Sequence, residues 1–135
     1  RFAVRNSGAE TVVEGCGSNG CEYMTGGTAV ILGPVGDNFA AGMTGGMVFV
    51  YDPEGALPSR INADSVLFQR LGSNYWEARL KGLVEEHVRE TQSRFAMSLL
   101  NDWHLERDGF WQVVPKEMVA LLPHPLEDSA AEMRA

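Results

Sequence analysis

A mainly β fold, a parallel β-helix or similar solenoid with an α-helical extension behind it, is what this sequence predicts, on three observations. Glycine is concentrated at the front: 12 of the 15 glycines fall within residues 1–58. Charge runs the other way, with 8 charged residues in that stretch and 21 in the 77 that follow. The glycine-rich part also repeats itself at a spacing of 19 residues, as MTGGTAVILG from Met24 and MTGGMVFVYD from Met43.

The repeat aligns Gly26 with Gly45 and Gly27 with Gly46, and one step earlier it places Gly8 beneath Gly27. An apolar run follows each station: Thr11-Val12-Val13, Ala29-Val30-Ile31-Leu32 and Val48-Phe49-Val50-Tyr51. A β-rich repeat near 20 residues with glycine turns at constant offsets suits stacked coils. Side chains 19 apart then form columns, Val12–Ile31–Val50 in one and Phe2–Cys21–Ala40 in another. Gly8, Gly27 and Gly46 fall where the chain bends, since glycine reaches positive φ without a Cβ penalty. Asn19 over Asn38 would form an amide ladder. Ordinary Gly-rich hairpins in a sandwich are the alternative, but they require no full-turn period.

Four segments result: β rungs over 1–58, a connecting segment over 59–74 with one or two short strands, a helical tail with one short strand over 75–122, and a flexible terminus over 123–135. In the tail, Trp76, Leu80, Leu83, Val84, Val88, Phe95, Leu99 and Trp103 recur at three- and four-residue spacing, an amphipathic helix pattern. The weak point at Thr91-Gln92-Ser93 divides it into helices over 75–89 and 92–103, with Thr91 as N-cap of the second. Phe110–Val114 is strand-like, and Pro115 begins a short helix through Leu122.

Composition narrows the function. A chain of 135 residues with 44% hydrophobic and 21% charged residues supports one modest core. A net charge of −7 argues against a nucleic-acid surface. No apolar run reaches the roughly 20 residues that cross a bilayer. Two cysteines fit a reducing cytoplasm. Opening on Arg1-Phe2-Ala3-Val4, already strand-like, the chain reads as a piece of a longer polypeptide.

No side chain stands out as a catalytic, cofactor-binding or metal-binding residue. Cys16 and Cys21 are too few for a closed metal or iron–sulfur site and read as structural thiols. Gly15-x-Gly17 and Gly33-x-x-Gly36 lack the following helix and lysine of a phosphate loop. His87, His104 and His124 form no nucleophile–base grouping, and Glu85, Glu86 and Glu90 read as a solvated helix face. Glu10, Glu14, Glu22 and Asp52 lie near the repeats without a partner that would make one of them a general acid or base.

The block Arg1-Phe2-Ala3-Val4-Arg5-Asn6-Ser7-Gly8-Ala9, with Gly20-Cys21-Glu22-Tyr23-Met24-Thr25-Gly26-Gly27 and Asn38-Phe39-Ala40-Ala41-Gly42-Met43-Thr44-Gly45-Gly46, resembles the C-terminal part of the glutamate synthase large subunit. His87-Val88-Arg89-Glu90-Thr91-Gln92-Ser93 and Phe110–Pro115 extend the likeness into the tail. The resemblance implies a right-handed parallel β-helix of the GXGXG type. It implies a structural role, bracing an amidotransferase domain and an FMN- and iron–sulfur-containing synthase domain that together convert glutamine and 2-oxoglutarate to glutamate. FMN and the cluster would then belong to the full-length protein, with no cofactor in this fragment. The implied partners are the other domains of the same large subunit and a small electron-donating subunit or reductase. The alternatives are a β-helix accessory subunit of another redox complex, such as formylmethanofuran dehydrogenase, or a non-catalytic interaction module.

Overall fold

The computed structural model describes residues 7–14, 20–21, 24–122 and 126. Three strands occupy the repeats: β1 (Ser7–Val13), β2 (Thr25–Ile31) and β3 (Gly45–Tyr51). Strand β4 (Val66–Arg70) precedes helices α1 (Asn74–Thr91), α2 (Arg94–Asn101) and α3 (Trp103–Glu106), and β5 (Phe110–Pro115) follows them. The five strands form one sheet in the order β1-β2-β3-β5-β4. The β1–β2 and β2–β3 ladders are parallel, whereas β5 runs antiparallel to both β3 and β4.

This architecture overturns the predicted mainly β, right-handed parallel β-helix with a helical extension. The sheet is open, with edges at β1 and β4, and its longest element is the 18-residue helix α1. The physical cause lies in the tail. Strand β5 takes the free edge of β3, with Val50 opposite Trp111 and Tyr51 opposite Phe110, so a further parallel rung cannot pair there. The fold is therefore a mixed α/β one, and the helices form a layer over the sheet.

The repeat is nevertheless read out as parallel pairing. Ile31 lies opposite Val50 at the expected offset of 19. Val12 does not share their column: it faces Val30, while Val13 faces Ile31. A register shift between Ser7 and Glu10 inserts one residue, and a second lies between Thr25 and Thr28. One extra residue moves every later side chain to the opposite face. Glycines lie at the entry to these shifts, Gly27 at φ +81° and Gly46 at φ +84°. At Gly45 the constraint is space: a Cβ there would stand 2.0 Å from the Thr25 carbonyl oxygen. The doubled glycines thus serve positive φ and close strand approach together.

Both faces of the central strands β2, β3 and β5 are buried. One packs Val30, Met47, Phe49, Phe110 and Val114 against Trp76, Leu80, Leu83 and Val84 of α1 and Ala96 and Leu99 of α2. The other packs Ala29, Ile31, Val48, Val50 and Val113 against the return segments through Cys21, Met24, Phe39, Ala40, Met43 and Leu57. The strands accordingly read as continuous apolar runs, as strands covered on both sides do. The returns touch one another as well. The Ala40 amide donates to the Gly20 carbonyl at 2.9 Å, and Phe39 bridges to Ile61. Asn38 Oδ1 accepts from Asn62 Nδ2 at 3.1 Å; the expected ladder partner Asn19, like Phe2 of the second column, lies outside the described residues.

The helical tail divides at Gln92, a left-handed C-cap (φ +56°). The N-cap of α2 is Ser93, whose hydroxyl accepts from the Ala96 amide at 3.1 Å, rather than Thr91. Thr91 instead closes the preceding turn by donating to the His87 carbonyl at 2.8 Å. The expected helix over 92–103 breaks instead at Asp102, which ends α2 and precedes the one-turn α3. The segment after Pro115 is a 3-10 helix, Lys116–Leu121.

Candidate functional site

The strongest convergence of polar groups is the corner where β3 ends. Asp52 leaves the sheet there and enters the turn that leads to the short helix Leu57–Ser59. Its Oδ2 accepts from the Leu57 amide at 2.7 Å and from the Trp111 indole Nε1 at 3.0 Å. Its amide donates to the Gly109 carbonyl at 2.7 Å, and its carbonyl accepts from Arg70 Nη1 at 2.9 Å. The Arg70 guanidinium lies 4.0 Å from the Trp111 ring centroid, a cation–π contact. Burial pushes the Asp52 carboxyl up, but the Leu57 and Ala56 amides, the Trp111 indole and Arg70 outweigh it and hold the group below its ordinary value.

Beside this corner, Tyr51 donates to the Glu106 carboxylate and packs its ring at 5.2 Å from Phe110 and 6.0 Å from Phe95. Burial, then the Glu106 carboxylate, pushes the phenol up to about 12, so it stays protonated as a donor. Between the loops after β2 and β3 lies an open cleft of about 380 Å³, lined by Leu32, Pro34, Val35, Leu57 and Phe95 among others. The sequence signal for the corner was Asp52-Pro53 directly after a strand, a turn in which an Asp side chain caps a backbone amide.

A second polar zone joins β1 to the helices. Glu10 pairs with Arg79, and Glu14 lies 3.1 Å from His87 Nε2. The Ser93 hydroxyl, then His87, holds the Glu14 carboxyl below its usual range. The spacing has a simple origin: four residues of strand and eight of helix both advance about 12–13 Å. Helix α1 therefore runs alongside β1 in the same direction.

These placements tie the chemically capable side chains to the fold. Cys21 is fully buried in the core under the return segments, while Cys16 and Glu22 lie outside the described residues, as does His124. His104, Glu85, Glu86 and Glu90 are exposed. Gly33 and Gly36 lead from β2 through a return segment to β3 rather than to a helix N-terminus, so they do not suit the phosphate of a flavin. Among the described residues no three His, Cys, Asp or Glu side chains come together as a ligand set, and one buried thiol does not suit an iron–sulfur cluster. Among the described residues no helix is long and apolar enough to cross a membrane.

Parallel strands entered through glycines at positive φ and paired at offsets of 18 to 20 residues characterise the first half of the chain. The family model described as the GXGXG motif matches residues 1–116, and the chain belongs to that family. It is 69% identical over 126 residues to the glutamate synthase (NADPH) large chain of Azospirillum brasilense, covering 93% of this chain and 8% of that protein. It is 50% identical over 115 residues to the chloroplastic ferredoxin-dependent glutamate synthase of Spinacia oleracea, covering 85% of this chain and 7% of that protein. With the NADH glutamate synthase of Schizosaccharomyces pombe the identity is 47% over 122 residues, covering 90% of this chain and 6% of that protein. The chain thus spans less than a tenth of the length of these relatives.

Proposed function

We propose that the chain is a structural region of a glutamate synthase large chain. In this role it braces the amidotransferase and FMN synthase domains, which form glutamate from glutamine and 2-oxoglutarate in the cytoplasm. The observation that carries the reading is 69% identity across 93% of the chain, joined to a fold in which the Asp52 carboxylate and the Tyr51 hydroxyl are engaged by its own backbone and side chains. FMN and the iron–sulfur cluster would belong to other parts of the polypeptide; among the described residues no three His, Cys, Asp or Glu side chains come together as a ligand set. An electron-donating subunit or reductase would be a further partner of the same large chain.

The test assays the purified 135-residue chain for flavin binding and for glutamine-dependent glutamate formation. We expect neither. Tight, specific flavin binding or substantial turnover by this chain would overturn the scaffold reading.

A further inference from the structure

We draw no further inference here: the strongest candidate, the acidic cleft between β1 and α1 lined by Glu10, Glu86, His87 and Glu90, carries nothing because Glu10 is paired with Arg79 and His87 with Glu14, and nothing else among the described residues points to a ligand for the exposed carboxylates that remain.

Discussion

Gly45 and Gly82 are the same residue in two halves of the molecule, with opposite consequences for a methyl group. At Gly45 a Cβ would sit 2.0 Å from the Thr25 carbonyl oxygen, while at Gly82 in α1 nothing lies within 4 Å. In the repeat half, glycine lets parallel strands approach and take up their register shifts. In the tail, a helical glycine lowers local stability without a contact in return. Glycine is thus a requirement on one side of β3 and a tolerated cost on the other.

The largest effect should come from the repeat side. Gly45→Ala places a methyl far inside van der Waals contact with a backbone oxygen, and the Gly27→Val/Gly46→Val pair forces β-branched residues to positive φ. Each should abolish the cooperative thermal transition of the 135-residue chain; a melt close to wild type would show that the ladder does not need these glycines. Next comes Phe49→Ala, which empties the fully buried centre of the face under α1. Chemical denaturation should register a loss of about 3–5 kcal/mol. Opposite in sign, Gly82→Ala should stabilise the chain by about 0.5–1 kcal/mol and raise its melting temperature. If Gly82→Ala destabilised it as Gly45→Ala does, the contrast between the halves would be lost.

Asp52 ties the halves together, and its effect depends on pH. Its carboxyl is held below the ordinary value in the fold, so its contribution is complete above the unfolded-state pKa and is lost as pH falls through the lower folded one. Asp52→Asn should cost about 1 kcal/mol near neutrality. The gap from wild type should narrow when denaturation is repeated in strong acid; a gap that widened there would contradict the assigned sign. The smallest effect belongs to Glu10→Gln. Both partners in its pair with Arg79 are nearly half exposed, so the loss should stay within about 0.5 kcal/mol and shrink in salt.

Much of the repeat half was legible because its signals are local. The doubled glycines and apolar runs specify parallel strands, and Ile31 opposite Val50 follows from the 19-residue spacing. The column containing Val12 failed because a single inserted residue leaves no mark in a periodic pattern. The helix periodicity located α1, but Ser93 and not Thr91 caps α2, a choice between two good capping residues two positions apart. The antiparallel extension of the sheet beyond β3 was not legible. It depends on β5 returning from beyond three helices to pair with β3, and no short-range pattern encodes that long-range contact. Of the Asp52 corner the sequence carries only the local Asp52-Pro53 turn signal, because its partners Trp111 and Gly109 lie more than fifty residues away.

Methyl-resolved nuclear Overhauser spectroscopy of the isotopically labelled chain tests the register most directly. The fold described here predicts cross-peaks from the Val12 methyls to Val30, on the helix-covered face, and from the Val13 methyls to Ile31 on the other. Cross-peaks joining Val12 to Ile31, with none to Val30, would contradict it.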